Sequence, residues 1–214
     1  MDQLPGFGRA RIPLSGMTED TPTKILEAAR RCLLADGYAS MSTRKVADDA
    51  AVPLSQIHYH FGSKDELILA LLRRENDRLL GRQSTMFEKE LPLWQRWDLA
   101  CDYFDEDIAS GYVRVVQEMT AAGWTSESLG KEMRGIWGAW QGLIRDVATD
   151  AREQGILPSL WTPNEIVALV AAAFIGAESL ILLGMEDDEV PVRLALRKIG
   201  DLIRLGEEGI TYEG

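Results

Sequence analysis

Apolar residues recur every three or four positions along most of the chain, a spacing that places them on one face of an α-helix. The first such stripe starts after Thr21, a predicted N-cap, and Pro22, which suits the first helical position. Its members are Ile25, Ala28, Ala29, Cys32 and Leu33. The pattern therefore predicts a first helix that ends at Asp36-Gly37.

A short second helix and a third helix are predicted directly after the first. Ser42 predicts the cap of a helix over 43–50, and a helix over 53–61 follows after a turn of a few residues. Two short helices joined in this way are typical of a helix-turn-helix pair. Four of their side chains are expected to face the core: Val46, Ala47, Ile57 and Phe61.

Helical patterns continue to the end of the sequence. Ser63 and Glu66 have the spacing of a capping box, which predicts a longer fourth helix reaching the region of Leu80. The later helical patterns cover 94–110, 112–122, 126–154, 163–184 and 190–206. No segment alternates as a β-strand would. The predicted fold class is all-α, with a small N-terminal helix-turn-helix domain and a larger C-terminal helical domain.

Charge divides the chain into two regions. The net charge of −11 by itself argues against nucleic-acid binding, because phosphate groups require a positive surface. Residues 1–82, however, hold 12 Lys and Arg against 11 Asp and Glu, whereas residues 83–214 hold 11 against 23. The acidic excess therefore belongs to the C-terminal region, and the two regions are expected to have different partners.

Neither export nor membrane insertion is expected. The first fifteen residues lack the unbroken apolar core of a secretory signal, and Cys32 and Cys101 match no disulfide framework or metal spacing. Residues 166–185 are long and apolar enough to span a bilayer, but their acidic flanks and the internal Glu178 argue against it. We expect a cytoplasmic protein that needs no cofactor or metal.

The most specific pattern surrounds the helix-turn-helix pair. Residues 50–67 read AAVPLSQIHYHFGSKDEL, and they follow ILEAA at 25–29 and GY at 37–38. Over residues 21–68 the chain closely resembles the N-terminal domain of the tetracycline-repressor (TetR) family of transcriptional regulators. Ala51 replaces the usual turn glycine and Pro53 a common capping Ser, so either Ala51 has a positive φ or the turn is slightly reshaped.

The resemblance implies that the third helix enters the major groove of duplex DNA while the second crosses the backbone. The expected base-reading residues are Arg44 for guanine, Gln56 for adenine, Leu54 for a thymine methyl, and Ser55 and His58 for either donor or acceptor edges. Five residues are better suited to phosphates: Thr43, Lys45, Tyr59, His60 and Lys64.

Two neighbouring features carry competing explanations. His58 and His60 lie two positions apart, so on a helix they diverge by about 200° and one metal ion cannot readily bind both. Arg9 and Arg11 suit a minor-groove contact, and a tail without any role in binding is at least as good an explanation. The predicted divisions are a flexible arm over 1–20, a DNA-binding domain over 21–68, and an effector-binding and dimerisation domain over 69–214.

Aromatic stripes in the C-terminal region predict an interior cavity, and the resemblance implies that it binds a small-molecule effector. Gly135, Gly138 and Gly142 interrupt the seventh helix, which suggests that small residues are needed there for close packing or for space. The expected lining is Trp97, Cys101, Phe104, Met119, Trp137, Trp140, Phe174 and Glu178. Glu178 is either a polar anchor in that cavity, favouring a cationic or hydrogen-bonding effector, or a paired group at an interface.

A run of acidic residues in the fifth helix invites a metal hypothesis. Its members are Asp102, Asp105, Glu106 and Asp107. No His follows at the spacing of di-iron proteins, so a solvated acidic face is the favoured interpretation.

The apolar character of the last two helices completes the functional hypothesis. The resemblance implies that they form a homodimer interface, which would place two reading helices on successive major grooves of a pseudo-palindromic operator. A ligand-responsive repressor is expected, in which the effector moves the fourth helix. The sequence offers no nucleophile–base pair or phosphate-binding glycine loop, so an enzyme is not expected. A helical ligand- or protein-binding module without specific DNA binding stays open as the alternative.

Overall fold

The computed structural model describes residues 20–87, 91–157, 160–185 and 188–209, without the side chains of 85–87. These residues form nine α-helices and no strand, which confirms the all-α fold class. The helices are α1 (Thr21–Ser40), α2 (Thr43–Asp49), α3 (Leu54–Phe61), α4 (Lys64–Phe87), α5 (Leu93–Ala109), α6 (Tyr112–Gly123), α7 (Glu127–Glu153), α8 (Pro163–Leu182) and α9 (Val192–Glu208). The N-terminal arm with Arg9 and Arg11 lies outside the described residues.

The two ends of α1 differ from the prediction. Asp20, not Thr21, is the N-cap: its carboxylate accepts the backbone N–H of Thr23 at 3.1 Å. Hydrogen bonding with the side chain of Thr23, and then with this backbone N–H, lowers the pKa of Asp20. Gly37 has a φ of 74° and interrupts the helix, but helical geometry resumes beyond it to Ser40. Glycine therefore kinks the helix instead of ending it, since it adopts this conformation without a Cβ penalty.

The turn between α2 and α3 contains Ala51 where a glycine was expected, and the structure shows the backbone conformation of that residue. Ala51 has a φ of 53° and is the one non-glycine residue with positive φ in the described part of the chain. Ser42 caps α2 as predicted, accepting the backbone N–H of Lys45 at 3.3 Å. Pro53 precedes α3 without a side-chain cap. Ala51 itself therefore adopts the positive φ, at a cost of about 1 kcal/mol for a residue of this type.

The N-terminal head, defined here as residues 21–72, has a densely buried core. Its side chains with essentially no exposure include Ile25, Ala28, Ala29, Val46, Ile57, Leu67 and Ile68. The same cluster continues into Val116 and Met119 of α6 and into Met133 of α7. The head is therefore seated on α6 and α7, and no gap in the core marks the predicted boundary at residue 68.

The C-terminal bundle comprises the described residues from 73 onward and packs α5 against α9 and α7 against α6 and α8. Its own buried cluster is small, with Cys101, Phe104, Phe174, Ala177 and Leu196 as members. By length and composition α8 is the one described helix that could cross a membrane, and 28% of its most apolar window is buried. One side of α8 packs on the bundle, whereas Leu169, Ala172 and Gly176 are exposed.

Candidate functional site

The exposed face of α2 and α3 is built on two buried anchors. Val46 and Ile57 have 0% exposure and fix the two helices against α1 and α4. Helical periodicity then directs the intervening side chains outward. Arg44 is exposed and has no hydrogen-bond or ion-pair partner among the described residues. Of the other predicted base-reading residues, Ser55 and His58 are exposed, while Leu54 and Gln56 are half-buried at the edge of the same face.

Two of the five predicted phosphate-binding residues already have partners within the head. The Lys45 ammonium lies 2.5 Å from the Asp36 carboxylate, whose hydrogen bond raises the pKa of Lys45. Lys64 donates to the backbone carbonyl of Tyr38 at 2.5 Å and lies 4.5 Å from the centre of its ring. Thr43 is half-buried at the start of α2. A DNA phosphate would therefore have to displace the Asp36 carboxylate to bind Lys45. At Lys64 it could bind the ammonium group alongside the Tyr38 carbonyl.

The two histidines have separate surroundings. Nδ1 of His58 lies 2.9 Å from the Gly62 carbonyl oxygen, so it donates to the end of its own helix in the matching tautomer. His60 packs edge-on against Tyr59, whose side chain is 81% exposed. Among the described residues no group of three or more His, Cys, Asp or Glu side chains is arranged to hold a metal ion. This face offers rings and hydrogen-bonding edges to a partner.

A cavity of about 280 Å³ lies inside the C-terminal bundle. It is bounded by α4, α5, α6, α7, α8 and α9, and most of its lining side chains are apolar. The structure places six of the eight predicted residues on its wall: Trp97, Phe104, Trp137, Trp140, Phe174 and Glu178. Glu178 thus lines the cavity of its own chain.

The other two predicted lining residues, Cys101 and Met119, do not lie on the cavity wall. Cys101 is buried in the small cluster of the bundle, behind the wall, where burial raises the pKa of its thiol to about 12. Met119 has 0% exposure and belongs to the core that continues from the N-terminal head. Both residues lie on apolar helix faces, but those faces pack against neighbouring helices.

Glu178 has an unusual environment for a carboxylate. Its Oε2 accepts a hydrogen bond of 2.5 Å from the Gln117 amide, and burial raises its pKa to about 7. Gln117 is neutral, so it orients the carboxylate without balancing its charge. The apolar character of α8 is therefore interrupted by a group that is costly to ionise and that points into open space.

The cavity is also lined by polar groups that the sequence did not indicate. The Tyr112 hydroxyl and Oε1 of Gln83 are buried and have no hydrogen-bond partner among the described residues. Asp107 accepts two hydrogen bonds of 2.8 Å from one nitrogen of Arg82. Asp107 follows Phe104 at helical spacing, a signal that could have placed it on the cavity side of α5.

The acidic run of α5 is not a simple solvated face. Arg197 pairs with Asp102 at 2.8 Å and with Asp105 at 3.1 Å, so α9 neutralises much of its charge. Arg82 pairs with both Glu106 and Asp107. The favoured interpretation is therefore corrected: the run holds α5 to α4 and α9.

The glycines of α7 do not make the close contacts that their number suggested. A Cβ atom added at Gly135, Gly138 or Gly142 would meet nothing within 4 Å among the described residues. Gly135 and Gly138 are exposed, and none of the three lines the cavity. These glycines therefore do not create the cavity.

Helix α6 connects the cavity to the N-terminal head through adjacent residues. Gln117 reaches Glu178, while Glu118 accepts the backbone N–H of Tyr38 at 2.7 Å, directly after the kink at Gly37. The Tyr38 hydroxyl in turn donates to Asp65 in the first turn of α4, at 2.7 Å. A displacement of α6 would therefore act on both the cavity and the base of the head.

Comparison with known proteins places the N-terminal helices in a family. Residues 25–71 match the model of the tetR family of bacterial regulatory proteins. Over 70 residues the chain is 36% identical to the HTH-type transcriptional repressor AcnR of Corynebacterium efficiens, a match covering 31% of this chain and 37% of that protein. The chain spans between about a third and a half of the length of the curated relatives that it matches.

Solved structures share the fold of most of the chain. One from Rhodococcus sp., described as a TetR-family transcriptional regulator, has a TM-score of 0.72 at 20% identity and covers 86% of this chain and 97% of its own. The regulator FadR of Bacillus subtilis, in complex with stearoyl-CoA, has a TM-score of 0.68 at 16% identity and covers 88% and 98%. At these identities the likeness establishes the fold.

Proposed function

Because the chain belongs to the tetR family of bacterial regulatory proteins, we propose that it is a ligand-responsive transcriptional repressor that binds a pseudo-palindromic operator as a homodimer in the cytoplasm. The observation that carries this proposal is the outward polar face of α2 and α3, fixed from below by the fully buried Val46 and Ile57. A rigid, short helix with exposed hydrogen-bonding side chains is what major-groove readout requires.

Five residues read bases in this proposal. Arg44 reaches guanine, Gln56 pairs with adenine, Leu54 contacts a thymine methyl, and Ser55 and His58 accept or donate at either edge. Phosphates bind the surrounding hydroxyl, ring and ammonium groups of Thr43, Lys45, Tyr59, His60 and Lys64. The acidic excess of residues 83–214 lies in the bundle, so repulsion from the duplex orients the head toward DNA.

The second copy of the chain packs on α8 and α9. Leu169 on α8 and Leu194 and Leu202 on α9 have exposed fractions of 53%, 55% and 65%, on helices whose opposite sides pack inward. Exposed leucines at helical spacing on adjacent helices are suited to a four-helix interface between two copies. The dimer presents two α3 helices to successive major grooves.

The effector binds in the cavity and acts on the head through α4 and α6. Helix α4 contributes Leu79 and Gln83 to the cavity wall and begins at Lys64, beside the reading face. Helix α6 contacts Glu178 on one side and Tyr38 on the other. The regulator FadR of B. subtilis, which shares the fold, was solved in complex with stearoyl-CoA, and this supports ligand binding by a chain of this fold. A small apolar or amphipathic effector can shift the chain between DNA-binding states only by binding them unequally.

Selection of bound genomic fragments, followed by affinity measurements at one fixed salt concentration, tests the proposal. Arg44→Ala and Gln56→Ala are each expected to weaken operator binding about 5- to 150-fold, the range of one base-reading contact. Lys131→Ala, which removes an exposed cation from α7, is the matched control and should bind like wild type. Sedimentation of the same samples should show a dimer.

Two results would contradict the proposal at different levels. If both variants bind the operator like wild type, Arg44 and Gln56 are not base readers. If the wild-type chain selects no fragment above its salt-sensitive nonspecific binding, the chain is a ligand- or protein-binding module without specific DNA recognition.

A further inference from the structure

The cavity is long and narrow. Its lining on α5 extends from Leu93 to Asp107, about 21 Å at 1.5 Å per residue, and on α8 from Ile166 to Glu178, about 18 Å. A volume of about 280 Å³ distributed over such a length fits an extended molecule better than a compact one. The two ends of an extended ligand would therefore lie in different surroundings.

Polar groups gather at the end formed by the α5–α6 junction. Tyr112 begins α6 five residues after Asp107, and Gln117, five residues further along α6, donates a hydrogen bond to Glu178. Tyr112, Asp107 and Glu178 all line the cavity. Arg96 lines the cavity eleven residues before Asp107 on α5, about 16 Å away along the helix axis. Its Nε donates to the Leu91 carbonyl at 2.8 Å.

Hydrogen-bond acceptors predominate among the polar groups of the wall. The carboxylate of Glu178 and the amide oxygen of Gln83 both accept, and the Tyr112 hydroxyl is free to do so. Asp107 is neutralised by Arg82, but Glu178 has only the neutral Gln117 as hydrogen-bond partner among the described residues. A ligand that fits this end must supply N–H or O–H donors, and positive charge would balance Glu178.

Aromatic rings border the path that leads to Glu178. Phe174 lies one helical turn before Glu178, and its ring contacts Trp97, Phe104 and Trp140 at centroid distances of 5.6, 5.3 and 6.0 Å. Aromatic side chains are favourable neighbours for both an alkyl chain and a cationic group. The wall therefore suits an apolar body joined to a cationic end.

We propose that the cavity binds an elongated amphipathic amine, with its protonated, N–H-donating head against Glu178 and Tyr112 and its apolar chain along the aromatic wall. The proposal deepens the proposed function, because this amine class would be the effector of the repressor. Several acceptors on the cavity wall match an ammonium group with several N–H donors better than a quaternary ammonium, which has none. An anionic amphiphile with its head at Arg96 is the competing class.

Calorimetric titration with three ten-carbon probes tests the proposal at pH 8, below their self-association concentrations. Decylammonium, 1-decanol and decanoate share a chain and differ in the head group, and the fluorescence of the wall tryptophans gives an independent signal. Decylammonium is expected to bind at least tenfold more tightly than either of the others. Decyltrimethylammonium is expected to bind more weakly than decylammonium because it cannot donate.

Variants locate the head group. Glu178→Gln should weaken decylammonium binding about tenfold or more and leave 1-decanol binding within about threefold, which also shows that the cavity is intact. Tyr112→Phe should weaken decylammonium binding about two- to fivefold. Glu153→Gln, which alters an exposed carboxylate of α7, is the matched control and should leave all three affinities unchanged.

Three results would overturn the amine assignment: equal or tighter binding of 1-decanol, tighter binding of decanoate, or a ratio of decylammonium to 1-decanol affinity that Glu178→Gln leaves unchanged. None of these measurements involves DNA. If the wild-type chain binds no operator, the repressor proposal is refuted and the amine site still stands. If the amine titrations fail while operator binding is observed, the repressor stands with an effector of another class.

Discussion

The N-terminal head and the C-terminal bundle bury their apolar residues to different extents. In the head, Ile57 and Leu67 have 0% exposure, and the core around them has no opening that matches the cavity of the bundle. In the bundle, Phe104 and Phe174 keep exposures of 6% and 7% because they border open space. The same helical building elements thus produce one close-packed region and one region with an interior site.

The two regions also direct their polar chemistry in opposite ways. The head exposes its hydrogen-bonding side chains on α2 and α3 and keeps its interior apolar. The bundle turns Glu178, Tyr112 and Gln83 inward, where a carboxylate and two unpaired polar atoms reduce stability. A rigid surface suits a reading function, and an interior with unsatisfied groups suits a ligand that completes it.

Removing the same apolar side chain from each region should have unequal effects. Ile57→Ala is expected to lower the free energy of unfolding by about 3–4 kcal/mol, because a fully buried side chain leaves a cavity in a close-packed core. Ile144→Ala is expected to cost only about 1–2 kcal/mol, since this side chain already borders the cavity and makes fewer contacts. Urea unfolding of both variants at 25 °C measures the difference.

Operator affinity separates the two variants further. At a temperature where both are folded, Ile57→Ala should impair DNA binding, whereas Ile144→Ala should bind the operator like wild type. Equal losses of stability would show that the bundle is packed as closely as the head, and the contrast between the two regions would be wrong.

Glu178→Gln should show that the bundle's interior carboxylate destabilises the free protein. The pKa of Glu178 is raised to about 7 from an ordinary value of 4.5, so between these values the folded chain binds a proton that the unfolded chain releases. Stability attributable to this proton is full below about pH 4.5 and is lost as the pH rises through 7. The free energy of unfolding of Glu178→Gln, relative to wild type, should therefore increase by about 2 kcal/mol between pH 5 and pH 8.

The groups facing Glu178 do not reverse this direction. Helix α6 contributes Gln117 and Tyr112, and α5 contributes Asp107 with its partner Arg82 from α4. The cavity-lining residues of α7 and α9 are apolar. A difference between Glu178→Gln and wild type that does not change with pH would mean that Glu178 ionises freely in the folded chain.

Local sequence patterns determined most of what could be predicted about the head. The positions of α2 and α3, the inward direction of Ile57 and the positive φ of Ala51 depend on residues only a few positions apart. The N-cap of α1 was misplaced by one residue because Asp20 and Thr21 are both good caps and the choice depends on backbone geometry. Short-range physics therefore fixes the reading face.

The interior of the bundle depends on contacts between distant segments. Apolar patterns predicted five wall residues, and the isolated carboxylate of Glu178 gave a sixth. The same patterns cannot tell a cavity wall from a packed core, and Cys101 and Met119 belong to packed cores. Gln117 lies 61 positions from Glu178, so nothing in its local sequence indicates that contact. Whether a helix face borders a cavity or a packed neighbour depends on which other helices cover it. A local sequence pattern does not contain that information.

The contact between the two regions supports the smallest predicted effect. Glu118 of α6 accepts the Tyr38 N–H at 2.7 Å and lies 3.6 Å from the Arg114 guanidinium, in a position that is only partly buried. Glu118→Ala should therefore lower the free energy of local opening at Tyr38 by about 1 kcal/mol, with little change in global stability. Amide hydrogen exchange should then be about fivefold faster at Tyr38 and unchanged at Ile57, deep in the head.

Reduced communication between the regions should accompany that local effect, because the Glu118 contact lies on the structural connection from Glu178 through α6 to the base of the head. Where a cavity ligand alters operator affinity, the ratio of affinities with and without the ligand should move toward one in Glu118→Ala, while operator affinity without ligand stays close to wild type. Glu153→Ala is the matched control for loss of an acidic side chain. Unchanged exchange at Tyr38 in Glu118→Ala would show that the head is held to the bundle by its shared apolar core alone, through α6 residues such as Val116 and Met119.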